Sequence, residues 1–118
     1  MITMGVQKDA GELLLFFYNE LINNGKKSIE TKEVLKETKW ESTRLNLAHN
    51  YLNELGLLKG GGGLPDAALI ELGAKFFFVT GLSPRAIDVI ENEPKFEKTF
   101  GFEVNIGVFK FSWSKTKK

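Results

Sequence analysis

Four small polar side chains recur at helical spacing near the middle of the chain: Ser42, Thr43, Asn46 and Asn50. Steps of three and four residues place such side chains on one face of a helix. An asparagine amide can pair with adenine through two hydrogen bonds, and a serine or threonine hydroxyl can reach a base edge or a phosphate. Arg44 adds a cation suited to phosphate or guanine. The pattern predicts a helix face that hydrogen-bonds a polar partner, with duplex DNA as the leading candidate.

Lysines flank this stretch on both sides. Lys36 and Lys39 precede it, Lys59 follows it, and Lys26 and Lys27 lie just before the preceding helix. Ammonium groups at such positions are suited to flanking phosphates. Together with Leu47, the candidate DNA-contacting residues are Ser42, Thr43, Arg44, Asn46, Leu47, Asn50, Lys36, Lys39 and Lys59.

The overall charge gives this interpretation little support. The chain has 16 basic and 15 acidic side chains, for a formal charge of +1, and residues 1–60 carry eight of each. Phosphate binding is driven by counterion release at lysine and arginine, so a neutral half contributes little. The alternative that these are ordinary polar residues of a helix surface stays open.

Two helices are predicted to position the candidate residues. Thr31 is expected to cap a first helix over residues 32–37, and Trp40 is expected to fill the space between that helix and the next. The second helix opens at Ser42 or Glu41 and runs to about residue 55, where Gly56 ends it. Its inward positions are predicted to be Leu45, Ala48, Leu52 and Leu55, and its outward positions Thr43, Asn46, Leu47, Asn50 and Asn53.

The end of this second helix, LNELGLLKG at residues 52–60, joins a leucine, a Gly-Leu pair and the start of a strand. It resembles the winged helix-turn-helix family of DNA-binding domains, which typically closes its recognition helix in this way. The resemblance covers residues 10–78. It implies an α+β fold with a three-helix core and a small β-wing, in which the helix from Ser42 enters the major groove. It further implies sequence-specific binding of double-stranded DNA by a small transcriptional regulator.

The remaining elements of the core follow from apolar spacing and glycines. Residues 10–23 carry the wide apolar face of a scaffold helix, and residues 26–29 correspond to a short first strand. The four glycines at 60–63 predict a mobile loop, which is the wing in the resemblance. The loop lacks the closing Gly-Lys-Ser/Thr of a nucleotide-binding loop.

Residues 67–79 are interpreted as a helix that Asp66 caps, with the alternative that its first residues form the second wing strand. Within it, LIELG at 69–73 resembles the phrase Leu-Thr-x-x-Gly that the family often places after a strand and before its last helix. Ser83 and Pro84 predict the start of a helix that extends to about residue 92, and residues 94–100 a turn or short helix.

The C-terminal segment alternates apolar and polar residues, with a change of phase near Gly107. This predicts either one strand with a bulge or a hairpin. An exposed aromatic strand aggregates, so another surface is expected to bury its aromatic face. The candidates are the domain's own Phe-rich helix and the equivalent surface of a second copy, and the second, a homodimer, is favoured. The chain is expected to be a single domain over residues 1–118, with a winged-helix core at 8–80 and an extension at 83–118.

No set of residues suggests catalysis. The chain has no cysteine and one histidine, and His49 lies beside the apolar face of the second helix, where a structural role is favoured over a catalytic one. We therefore expect no enzymatic activity, no metal site and no cofactor, and the sequence identifies no small-molecule ligand.

The apolar runs are shorter than the roughly 18 residues that a membrane helix needs, and the N-terminus does not resemble an export signal. A cytoplasmic protein without a membrane partner is the expectation. The alternative function is a winged-helix module that binds protein instead of DNA, since Leu47 and Tyr51 fit a protein surface better than a DNA groove.

Overall fold

The chain folds into an α+β structure, as expected, in the computed structural model, which describes residues 2–102. Within this range, α-helices and one π-helical turn accompany a small three-stranded antiparallel sheet. The elements are α1 (Ile2–Tyr18), a π-helical turn (Asn19–Asn23), β1 (Ile29–Glu30), α2 (Thr31–Thr38), α3 (Ser42–Glu54), β2 (Leu58–Gly63), α4 (Ala67–Leu72), β3 (Phe76–Leu82), α5 (Pro84–Ile90) and α6 (Glu93–Phe100).

The sheet has the strand order β1-β3-β2, so β3, the last strand of the described residues, lies in the centre. Ile29 pairs with Val79 on one side of β3, and Gly62 pairs with Phe77 on the other. Both pairings are antiparallel. A register shift between Lys59 and Gly60 interrupts the β2–β3 ladder. Strands β2 and β3 are connected through α4, and this antiparallel pair is the β2–β3 hairpin, which follows α3 along the chain.

The core lies between α1, α3 and the inner face of the sheet. Leu13, Leu14 and Phe17 of α1 are fully buried, and so is Leu45 of α3. The Phe17 ring meets the Phe77 ring of β3 edge-on, with 6.4 Å between centroids. Each such buried side chain stabilises the fold by about 1.5–3 kcal/mol through removal of apolar surface from water. The scaffold helix predicted at 10–23 is present, but it begins at Ile2 and ends in a π-helical turn.

The glycine run at 60–63 is not a loop, contrary to the prediction. It forms most of β2, and each glycine has a partner residue on β3. The Phe78 ring lies 3.0 Å from where a Cβ on Gly61 would stand, and the Phe76 ring lies 3.4 Å from that position on Gly63. The aromatic strand thus supplies the order that four glycines lack on their own.

The predicted helix over residues 67–79 is correct only in its first half. Asp66 caps α4 by accepting a hydrogen bond from the Leu69 backbone N–H at 3.0 Å, but the helix ends at Gly73 in a left-handed conformation. Phe76 begins β3. The alternative that placed a strand at the start of this segment is also wrong. The family pattern of a strand followed by a short motif and a helix does not occur at residues 69–73, which lie in and just after α4. Instead, β3 is followed by Ser83 and then by α5.

Thr31 has a different role from the predicted helix cap. It is fully buried as the first residue of α2. Its hydroxyl accepts a hydrogen bond from the Phe77 N–H at 2.8 Å and lies 3.0 Å from the Lys75 carbonyl, to which it can donate. This side chain continues the β1–β3 ladder past the point where the backbone turns into α2.

Helix α5 begins at Pro84 behind the predicted Ser83 cap but ends at Ile90, and the predicted turn or short helix at 94–100 is α6, which begins at Glu93 behind an Asn92 cap. Ser83 accepts from the Ala86 N–H at 3.2 Å and Asn92 from the Lys95 N–H at 3.1 Å. Phe96 and Phe100 of α6 are buried against the core. The predicted C-terminal strand or hairpin lies beyond Phe102, outside the described residues. No helix in the described range is long and apolar enough to cross a membrane.

Gly11 marks the closest approach of α6 to α1. A Cβ at this position would stand 2.8 Å from both the Phe100 Cβ and the Phe102 ring. We therefore expect Gly11→Ala to lower the free energy of unfolding by about 1–3 kcal/mol through overpacking, measured by urea denaturation. Gly5→Ala is the matched control on the same helix, with no heavy atom within 4 Å, and we expect it to raise stability by about 0.5–1 kcal/mol. Equal changes in the two variants would contradict the packing.

Thr31→Val removes the hydroxyl and keeps the shape of the side chain. The buried Phe77 N–H would lose its acceptor, so we expect the free energy of unfolding to fall by about 1–3 kcal/mol. Thr80→Val on the exposed face of β3 is the control, with an expected change within about 0.5 kcal/mol. Thermal unfolding followed by circular dichroism measures both. A neutral Thr31→Val would show that the hydroxyl does not join α2 to β3.

Candidate functional site

The helix α3 presents the face that the sequence predicts. Leu45, Ala48 and Leu52 are fully buried on its inner side. On the outer side Thr43 and Asn50 are exposed and Ser42 is half-buried, while Leu47 is 47% exposed. Most of the predicted contact face is therefore open to a partner.

Asn46 is an exception, because its amide is used within the molecule. Its Nδ2 donates to the Gly73 carbonyl at 3.0 Å, and its Oδ1 accepts from the Lys75 N–H at 3.3 Å. These bonds tie the middle of α3 to the link between α4 and β3. Asn50 is also contacted from this link, since its Oδ1 accepts from the Lys75 ammonium, yet the side chain stays exposed.

Arg44 is held by internal contacts. Its Nη2 lies 2.9 Å from the Asp9 carboxylate and 3.5 Å from that of Glu12, both on α1. Its guanidinium lies 4.0 Å from the centre of the Trp40 ring. The predicted interhelical position of Trp40 agrees with the structure, where the ring packs against the core. Arg44 thus connects α1, the α2–α3 turn and α3, and no sequence pattern distinguished this role from phosphate binding.

The other predicted cations divide into two groups. Lys36, Lys39 and Lys59 are exposed, and no carboxylate of the described residues lies within ion-pair distance of them. Lys39 is the left-handed residue that ends α2. Lys26, by contrast, lies 3.2 Å from the buried Glu20 and also pairs with Glu33. The first group is available to a partner, and Lys26 is already neutralised.

The helix α4 lies beside the candidate site, a position that the sequence did not predict. It connects β2 to β3, and its last residue, Leu72, lines a shallow groove together with Trp40, Ser42 and Thr43. Ile70 and Leu72 are 64% and 60% exposed. The start of α3 is therefore flanked by an apolar surface as well as by lysines.

His49 lies beneath the site and not in it. It is 6% exposed, and its ring stacks on the Phe77 ring with 3.8 Å between centroids and 9° between planes. Burial, reinforced by the nearby Lys75 charge, lowers the pKa of His49 from 6.5 to about 4. The imidazole is therefore neutral at pH 7 and acts as a packing group.

The described residues include no group of three or more His, Cys, Asp or Glu side chains that can hold a metal ion. Comparison of the chain with protein-family models, with curated proteins and with solved structures finds no match.

The lowered pKa of His49 predicts a specific dependence of stability on pH. Above pH 6.5 the residue is neutral in both the folded and the unfolded chain. Between pH 6.5 and about 4 only the unfolded chain takes up the proton, so the free energy of unfolding falls with decreasing pH, by at most about 3 kcal/mol.

His49→Phe keeps a ring against Phe77 and removes the titrating group. We expect the variant to lack this part of the pH dependence, so that the stability difference between the two proteins changes between pH 7 and 4. Urea denaturation at a series of pH values measures it, and the difference cancels the carboxylates that both proteins share. Parallel curves would contradict a buried neutral His49.

Proposed function

We propose that the protein binds duplex DNA as a winged helix-turn-helix transcriptional regulator. The supporting arrangement is the sequence of α2, a three-residue turn, α3 and an antiparallel hairpin, with β1 completing the sheet. In the family that residues 52–60 resemble, the helix in the position of α3 enters the major groove and the hairpin lies beside it.

The exposed side of α3 supplies groups suited to base edges. Thr43 and Asn50 lie on one face of the helix, about two turns apart, and Ser42 is its first residue. Asn50 can pair with adenine after releasing the Lys75 ammonium, and Leu47 can contact a thymine methyl group. Asn46 would first have to break two internal hydrogen bonds, so we assign it a smaller part than its neighbours.

The exposed lysines without internal partners carry the proposal. Lys36 and Lys39 lie before the start of α3, and Lys59 lies on the hairpin that follows it. A duplex placed along α3 would meet cations on two sides, in the arrangement that fixes a helix in the groove through phosphate contacts. Three such contacts release about three counterions, which makes the affinity modest and dependent on salt.

A salt titration with a double variant tests this proposal. We expect the affinity for duplex DNA to fall with salt, and Lys36→Gln/Lys39→Gln to reduce the slope of log affinity against log salt by about 2, roughly one per lysine. Fluorescence anisotropy of a labelled random duplex measures both. Lys98→Gln on α6 is the control, since it removes an exposed charge from an element outside the proposed surface.

Two results would contradict DNA binding at this surface. One is the absence of binding to any duplex at low salt. The other is a reduction of the slope by about 1 in the Lys98→Gln control, the same per lysine as in the double variant, which would show that the duplex responds to net charge and not to the position of the lysines.

A protein-binding module is the second candidate, favoured by the apolar residues beside α3. Leu47, Ile70 and Leu72 are all about half exposed or more, and apolar contacts of this kind are common at the centre of protein interfaces. Failure to bind duplex DNA at low salt would favour this candidate. A homodimer also remains a proposal, and sedimentation velocity of the full chain distinguishes one copy from two.

A further inference from the structure

A second site lies on the inner side of the β2–β3 hairpin, away from the outward face of α3. A cleft of about 310 Å³ opens between the second half of α3 and the two strands. His49 and Asn53 line it from α3, Lys75 from the link before β3, and the glycines of β2 from the other side. Its size is near the lower end for small-molecule pockets.

The cleft exists because an inward position of β2 has no side chain. Gly62 pairs with Phe77, which is buried. Directly paired residues share a face of the sheet, so Gly62 faces inward. Gly60 lies at the register shift, where a Cβ would meet the Phe78 backbone, so this position also carries no side chain. A Cβ on Gly62 would contact only the Phe76 carbonyl, at 3.1 Å. A larger side chain at this position would extend into space that is now open.

The polar groups of the cleft favour an anion. Lys75 is half-buried, and burial lowers the pKa of its ammonium group. No carboxylate is among the residues that line the cleft in the described part of the chain. Its ammonium donates a hydrogen bond to the neutral Asn50 amide, which lies outside the cleft lining. A cation in this setting lacks the counter-charge that a bound anion would supply.

His49 adds an independent sign of a missing partner. The imidazole is almost fully buried at the wall of the cleft, and its Nδ1 has no hydrogen-bond partner among the described residues. Buried polar atoms of this kind are uncommon, because most find a partner in the protein, in ordered water or in a ligand.

We propose that this cleft binds a small, flat organic molecule with a single carboxylate. Lys75 provides the charge partner, Asn53 provides an amide hydrogen bond at the rim, and the body of the ligand lies between His49 and the glycine strand. One lysine without an arginine suits a monoanion better than a doubly charged phosphate. This site does not depend on the proposed binding of DNA.

His49 is the only histidine of the chain, so its ring protons give a single, assigned reporter in a proton NMR spectrum. We expect benzoate to shift these signals saturably in the absence of DNA. Benzamide, which has the same shape without the charge, and acetate, which has the charge without the flat body, should each bind at least about tenfold more weakly. Inorganic phosphate should also bind at least about tenfold more weakly than benzoate.

Two glycine variants provide the matched comparison. Gly62→Val fills the cleft and should abolish the benzoate shift. Gly81→Val places the same side chain on β3 outside the cleft, where only the Lys59 side chain lies within 4 Å, and it should preserve the shift. Lys75→Gln should weaken benzoate binding roughly tenfold or more, because it removes a charge-assisted hydrogen bond. Lys59→Gln is its control and should bind benzoate as the original chain does. Circular dichroism establishes that each variant is folded.

The proposal is overturned if benzoate produces no saturable shift, or if phosphate binds as tightly as benzoate. It is also overturned if Lys75→Gln binds benzoate unchanged, a result that does not depend on whether Gly62→Val folds. Because no DNA is present, failure here leaves the proposed DNA surface untouched, and failure of DNA binding leaves this site untouched.

Discussion

The stack of His49 on Phe77 joins the exposed helix of the site to the rest of the molecule. The two rings lie 3.8 Å apart and nearly parallel, and Phe77 in turn meets Phe17 of α1 edge-on. One aromatic residue of the central strand thus contacts both α3 and the scaffold helix. The same residue donates its backbone N–H to the buried Thr31 hydroxyl, which fixes the start of α2. Phe77 is therefore a point of β3 that contacts both α2 and α3.

Along α3, the residues that pack on the core are distinct from those that face outward toward a partner. Leu45, Ala48, His49 and Leu52 hold the helix on the core, and the residues between them face outward. The link between α4 and β3 modifies the outward face, because its backbone binds Asn46. Asn46 is therefore part of the structure that orients the hairpin. The surface left for a partner consists of Thr43, Leu47 and Asn50, with the lysines around them.

The charges follow the same division. Arg44 was the strongest cation that the sequence offered for a DNA contact, but Asp9 and Glu12 of α1 neutralise it. Isolated surface ion pairs contribute little stability, and here the pair is joined by the Trp40 ring, so its effect is to orient helices. What remains for a polyanion is a small number of separate lysines. We therefore expect modest affinity for DNA at this surface. The half-buried Lys75 belongs to the separate proposed carboxylate site.

The helices of the site could be predicted because their signals are local. The apolar spacing of Leu45, Ala48 and Leu52, with Gly56 beyond them, defines α3, and Ser83 followed by Pro84 defines the start of α5. The glycine strand could not be predicted, because Gly60–Gly63 has no preference of its own and takes its conformation from the distant Phe76 and Phe78. The phenylalanines 76–78 fit a helix equally well by spacing, and only pairing with β1 and β2 decides between them. The partners of Asn46 and Arg44 lie 27 to 35 residues away in the chain, beyond the reach of any spacing argument.

Binding of duplex DNA along α3 is tested most directly by a map of backbone amide shifts during titration of the labelled protein with the duplex. We expect the largest changes on Thr43, Leu47 and Asn50 of α3 and on Lys59 of the hairpin, with α5 and α6 unaffected. Changes confined to α5 and α6, or no changes at low salt, would contradict it.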